Sequence, residues 1–300
     1  MLIAHLSDLH VKEAGDVRRL ERQLDCITGR HPDHLVITGD LLDRWAPPLL
    51  SRILDALAER DLLTAARTTV LHGNHDLASS GGHPSRRADL WRLALRFWDP
   101  PPLLGTRQRR FHQAIAARAE GVAGGAPYLK RLPSGLRLAV LDSVPAPWTP
   151  FALDRRRVVL NQAIGAVPAA QCAWLEARPR EATPLVVLMH HYPLDIAPFQ
   201  WIPGRPMPAV IVPMHIRDAD RHRFWRAASA AGVLLVVCGH VHRTRLDWHE
   251  GIAVGLNGAA GAEWAGSPVG WYRIDGARVD METEATGGSR TVPSPVRTER

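Results

Sequence analysis

Thr69-Val70-Leu71-His72-Gly73-Asn74-His75-Asp76 is a short apolar run that stops at a polar turn. The turn offers an amide oxygen and an imidazole side by side. Four other apolar runs end in the same kind of residue. Leu2–Leu6 leads to Asp8 and His10, and His34–Thr38 leads to Gly39-Asp40. Leu185–Met189 leads to His190, and Val233–Cys238 to His240 and His242. Between the first three runs lie two segments of helical period. Val17–Thr28 has Leu20, Leu24 and Ile27 on one face, and His31-Pro32-Asp33 closes it; Leu49–Leu63 repeats the pattern at 50, 53, 54 and 57. The order strand, helix, strand, helix, strand predicts parallel strands whose carboxyl ends share one edge, where ligand sites of open α/β sheets lie.

Further along, Ala88–Phe97 and Gln108–Glu120 read as helices separated by a break at Pro100-Pro101-Pro102. Tyr128–Leu132 and Leu136–Asp142 form a hairpin, and residues 148–167 a long excursion. Ala169–Ala177 is a short helix, and Asp218–Ala231 a longer one with Phe224 and Trp225 facing the core. Thr244–Trp248, Ile252–Leu256 and Val269–Ile274 read as edge-type strands. Residues 196–213 are rich in proline and bulky apolar side chains without a regular period. That stretch is a substrate lid, a packing insert or a dimer contact. One domain spans 1–285, and the Gly, Ser, Thr, Pro and charged residues of 286–300 predict a disordered tail.

With 300 residues and 46% apolar side chains the chain supports a large buried core. The formal net charge of +7 favours anionic partners, and a phosphate-bearing small molecule satisfies it as well as nucleic acid does. No basic patch interleaved with stacking aromatics is present, so nucleic acid is not the favoured partner. The cysteines Cys26, Cys172 and Cys238 lack ligand spacing and suggest a reducing compartment. No segment has the length and apolarity of a membrane span, and Met1–Leu6 is too short for a signal segment. A soluble cytoplasmic protein, with room for a homo-oligomer, is the default expectation.

The strand exits carry metal-ligand chemistry. Asp8 and His10 are two apart, a spacing that in an extended strand puts both side chains on one face, and His240 and His242 repeat it. Asp40 can use both carboxylate oxygens to bridge two ions, while Asn74 adds a neutral donor. With His190 the set has two carboxylates, one amide and four imidazoles. That is enough for two ions and suits Mn, Fe or Zn better than Ca or Mg. His5 and His72 sit inside strands and read as satisfied core histidines.

Taken together, Asp8-Leu9-His10, Gly39-Asp40-Leu41-Leu42-Asp43, Gly73-Asn74-His75-Asp76, His190-His191 and Gly239-His240-Val241-His242 resemble the five signature blocks of the calcineurin-like metallophosphoesterases. His5 to His10 and the His190-His191 pair look like the bacterial cyclic-nucleotide and glycerophosphodiester phosphodiesterase branch. The resemblance implies an α/β fold, a four-layer α/β/β/α sandwich with two mixed sheets. It implies two divalent ions, or an Fe(III)/divalent pair, drawn from manganese, iron or zinc. Asp8, His10 and His242 would hold one ion, Asn74, His190 and His240 the other, with Asp40 shared. His75 would face the substrate and protonate the leaving alkoxide or bond a phosphoryl oxygen, and Asp76 would orient its ring. Asp43 would order the loop or a histidine behind the ligands, and His191 would stand behind the ligands or at the substrate edge. Trp201 and Arg205 are candidate substrate contacts.

The implied activity is hydrolysis of a small-molecule phosphodiester by a hydroxide held between the ions. A metal-dependent DNA nuclease and a non-catalytic protein-binding scaffold on the same fold are the alternatives. A scaffold would be marked by a missing ligand, and none of the expected ligands is missing. Tyr192-Pro193-Leu194-Asp195 departs from the Pro-Pro that commonly follows the histidine pair in that branch, which bears on the substrate more than on the chemistry.

Overall fold

The structure, a computed structural model, describes residues 1–79, 99–149, 151–154, 157–161, 163–195, 210–211, 215–258, 269–285 and 288–291. It begins as the apolar runs predict. β1 (Leu2–Leu6), β2 (His34–Ile37) and β3 (Thr68–Val70) pair in parallel. They are joined by α1 (Ala14–Arg30) and α2 (Pro47–Ala58). α1 buries Val17, Leu20, Leu24 and Ile27 at helical spacing. It starts before the predicted boundary because the Asp16 carboxylate accepts the backbone N–H groups of Lys12 and Glu13. α2 opens with Pro47 and Pro48 in its first turn, where a missing N–H costs nothing.

The same sheet continues on the other side of β1 through β13 (Val269–Asp275), β14 (Arg278–Ala285) and β15 (Gly288–Thr291), all antiparallel to their neighbours. Its order is β15-β14-β13-β1-β2-β3. β15 lies inside the stretch predicted as a disordered tail: ladder hydrogen bonds to β14 need no apolar side chains, so composition did not reveal it. Residues 292–300 are outside the described residues.

In the second sheet, β5 (Arg137–Val140), β8 (Leu185–Leu188), β10 (Val233–Cys238) and β12 (Ile252–Asn257) are parallel. Antiparallel β4 (Tyr128–Arg131) and β11 (Thr244–His249) form its edges. Ile252–Leu256 and Val269–Ile274, expected at edges, are internal: β12 runs between β10 and β11, and β13 between β1 and β14. Full burial of β12 on both faces accounts for its unbroken apolar run.

α3 (Asn74–Leu77) is a single turn after β3. α4 (Pro101–Ala116) begins ahead of the Gln108 start expected for it, with Pro101 and Pro102 in its first turn. The helix expected at Ala88–Phe97 lies outside the described residues. α1, α2 and α4 cover the outer face of the first sheet, with Leu20, Leu54 and Phe111 in one core. α5 (Ala169–Glu176) and α6 (Asp218–Ala231) cover the second, through Cys172, Leu175, Phe224 and Trp225. Between the sheets, Ile3 and Val36 meet Leu138, Val186 and Val237. The architecture is the expected four-layer α/β/β/α sandwich with two mixed sheets.

The excursion after residue 148 forms a hairpin, β6 (Phe151–Asp154) and β7 (Arg157–Leu160), and β9 (Val210–Ile211) pairs with β7. Apart from 210–211 the segment 196–213, with Trp201 and Arg205, lies outside the described residues. No helix among the described residues is long and apolar enough to cross a membrane.

Candidate metal centre

The carboxyl ends of β1, β2, β3, β8 and β10 lie together, and the chain reverses sharply as it leaves them. Asp8, His10, Asp40, His240 and His242 all adopt left-handed backbone, with φ of 54°, 44°, 52°, 69° and 52°. Each such residue with a Cβ costs roughly 1–2 kcal/mol and persists only where its surroundings over-determine it. The Asp8/His10 and His240/His242 pairs therefore do not share a strand face, as their spacing suggested. β1 ends at Leu6 and β10 at Cys238, and the turns beyond them aim the side chains. Glycines make room: a Cβ on Gly73 would collide with the Asp40 carboxylate, and one on Gly39 would lie 2.8 Å from His190 Nδ1.

The expected donors converge in two groups. In the first, His10 Nε2 lies 3.1 Å from His242 Nε2, and His242 Nε2 is 3.4 Å from Asp8 Oδ1. In the second, His190 Nε2 lies 3.1 Å from Asn74 Oδ1 and 3.4 Å from Asp40 Oδ2, and His240 joins the group. Asp40 stands between them, its Oδ2 also 3.7 Å from His10 Nε2. Asp8, Asp40, His190 and His240 form a buried floor. His10, Asn74, His75 and His242 are half-buried at the rim.

The donor chemistry fits cations. His190 Nδ1 donates to the Thr38 carbonyl at 2.8 Å, and His240 Nε2 donates to the Ala163 carbonyl at 3.0 Å. A carbonyl only accepts, so each neutral ring keeps its other nitrogen as a lone pair, His190 Nε2 and His240 Nδ1. Two imidazole nitrogens 3.1 Å apart, as in His10 and His242, need a proton or a cation between them. Burial would raise the Asp8 carboxyl, but the hydrogen bond and charge of His242 outweigh it and hold it at about 2. Burial would lower His190, yet the Asp40 charge lifts it to about 9. The floor thus calls for positive charge, and an ion bound there would displace the His190 proton.

His75 is oriented by backbone. Its Nδ1 donates to the Asp43 carbonyl at 3.0 Å and its own N–H to Asp40 Oδ1 at 2.8 Å. Its ring stands edge-on to His10, with centroids 4.6 Å apart. Asp76 does not orient that ring. Its two oxygens accept the backbone N–H groups of Leu42 and Gly73, both at 2.8 Å, so the fully buried carboxyl braces two loops. Burial and the Asp40 charge push it up to about 7. The Asp43 carboxylate lies 3.8 Å from His10 Nδ1.

His191 is fully buried beside His190 and His240, which removes it from any substrate edge. His5 bonds Thr38 Oγ1 and the Tyr272 hydroxyl, as a core histidine should. His72 lies 3.3 Å from Asp142 Oδ1 and is likewise outside the donor groups. Sequence reasoning missed Thr38 and Ala163, which act through main-chain carbonyls and leave no side-chain signal.

A family model described as calcineurin-like phosphoesterase matches residues 1–244. No curated protein matches the chain. Among solved structures, a dimetal phosphatase from Danio rerio is similar over 97% of this chain and 98% of its own, at 12% identity and a TM-score of 0.60. The TT1561 protein of Thermus thermophilus is similar over 94% and 98%, at 12% identity and a TM-score of 0.52. At such identities the likeness is one of fold.

Proposed function

The chain belongs to the calcineurin-like phosphoesterase family, and from that premise we propose that it hydrolyses a small-molecule phosphodiester of the cyclic-nucleotide or glycerophosphodiester type. Asp8, His10 and His242 would hold one ion, Asn74, His190 and His240 a second, with Asp40 common to both. The observation that carries this reading is the position of Asp40 between two donor groups, 3.4 Å from His190 and 3.7 Å from His10. Four imidazoles favour manganese, iron or zinc. Ions so held would acidify water and neutralise the phosphoryl oxygens, which otherwise repel an anionic nucleophile.

The remaining work falls to protein side chains. His75 sits at the rim, half-buried, with Nδ1 committed to the Asp43 carbonyl, so Nε2 is the atom that carries a proton to the departing alkoxide. Fixing the ring through main chain limits the ways it can turn from a substrate held at the two donor groups. The free thiols of Cys26, Cys172 and Cys238 suit a reducing, cytoplasmic setting.

Metal-loaded protein should be assayed against 2′,3′- and 3′,5′-cyclic nucleotides, glycerophosphodiesters, phosphomonoesters and single-stranded DNA. We expect the diesters to turn over fastest. Bis-p-nitrophenyl phosphate with Mn²⁺ is the general check, and absence of chelator-sensitive turnover would sink the hydrolase reading. Faster cleavage of DNA than of any small diester would sink the substrate assignment alone.

A further inference from the structure

His191 is adjacent to a proposed ligand but falls in none of the donor groups among the described residues, and its ring packs against His190 and His240 with no exposed surface. Its centroid is 4.3 Å from that of His240 and 5.0 Å from that of His190. Among the described residues its Nε2 has no hydrogen-bond partner although it is buried. An orphaned polar atom in a core calls for an explanation, because an apolar ring would fill the same space without that cost.

Two chain sections that carry no ligand grip this ring. Ser143, just past β5, places Oγ 2.9 Å from the His191 backbone N–H and 3.0 Å from His191 Nδ1. Gly165, past β7, packs closely against the base of the same side chain. A Cβ there would come within 2.6 Å of His191 Cβ and Cγ, so only glycine fits with the ring where it is. The sections are tied together, Ala166 N–H donating to the Ser143 carbonyl at 3.0 Å. The section carrying Gly165 also supplies the Ala163 carbonyl that holds His240 Nε2. His240 is therefore held at one ring nitrogen by Ala163 and packed by the tilted ring of His191, which Gly165 and Ser143 in turn hold.

We propose that Gly165 and Ser143 are positioning residues for His240, acting through the His191 ring to keep His240 aimed into the donor group it shares with Asp40 and His190. The inference rests on the metal reading above. It differs in assigning a role to residues that touch neither ion nor substrate.

The test is Mn²⁺ binding by equilibrium dialysis and calorimetry, with melting temperature as the folding control, on the full chain. The parent should bind two ions. Gly165→Ala should weaken one of them by roughly 10–100-fold, the range seen when groups that orient a ligand are lost, and leave the other unchanged. Because Gly165 acts through His191, the same substitution made in a His191→Ala background should change that affinity by less than about twofold. A merely structural glycine would show its full effect in both backgrounds. Ser143→Ala adds no volume and should weaken the same ion, which covers the case in which Gly165→Ala does not fold. Two ions at parental affinity in Gly165→Ala, or in Ser143→Ala if that variant alone folds, would overturn the proposal. So would a loss undiminished by His191→Ala. A parent that binds no ion would sink the metal reading itself, before any substitution is made.

Discussion

Asp40 accepts the backbone N–H of His75 through Oδ1 at 2.8 Å, so the carboxylate shared by the two donor groups also anchors the loop that carries the proposed acid. Placement of the proposed ligand Asp40 and of the proposed acid His75 would then be one mechanical event. Asp40→Ala should lower bound metal from two ions to fewer than one per chain, read by elemental analysis after dialysis. Asp40→Asn keeps an oxygen for the His75 N–H but not the charge. It should lose metal while resisting protease at 73–77 better than the alanine variant.

His75→Ala should retain both ions, since the two proposed ligand sets are complete without its ring. Turnover of an alkyl phosphodiester should fall by about 10²–10⁴-fold, the usual value of a positioned acid. A p-nitrophenyl leaving group needs little protonation, so its turnover should fall far less. Equal losses on both substrates would remove His75 from the acid role.

Asp76→Ala separates bracing from chemistry. Leu42 and Gly73 would each keep a buried N–H without an acceptor, at about 1–3 kcal/mol apiece. Chemical denaturation should show a loss on the order of 2–5 kcal/mol, whereas His75→Ala should cost little. A stable Asp76→Ala with reduced turnover would contradict the bracing role.

Acid should destabilise the fold through His34, well away from the donors. Its Nδ1 donates to the Ala66 carbonyl and Nε2 takes the Thr69 hydroxyl, using both nitrogens in the neutral form. Burial, then the nearby Lys130 charge, lowers it from 6.5 to about 4. Between those values the unfolded chain binds the extra proton, so stability rises with pH across the window. The contribution is fully present above pH 6.5 and is lost as pH falls through 4, on the order of 3 kcal/mol in all. His34→Gln should flatten the stability profile between pH 6.5 and 4 by up to one proton. An unchanged slope would exclude His34 as the group responsible.

Much of the frame was legible in the chain. β1, β2, β3, β8 and β10 are apolar runs bounded by glycine or polar residues, and burial on both faces makes such runs visible without any partner. β14 escaped because only Val279 and Met281 are buried along its described length, too few to mark a period among charged neighbours. α4 was expected from Gln108 and starts at Pro101, because proline fits a helix's first turn as readily as it ends a helix.

By itself the sequence determined the donor types and the order in which strand ends would supply them, because apolar patterning and ligand chemistry are both local properties. Tertiary structure alone decided how those donors are aimed. Five of them turn inward on left-handed backbone, His190 and His240 are held by the carbonyls of Thr38 and Ala163, and Asp76 faces two loops instead of His75. The carbonyl bonds to His190 and His240 and the Leu42 bond to Asp76 join segments distant along the chain, through main-chain atoms that all residues share. Nothing in the identity of the residues records them.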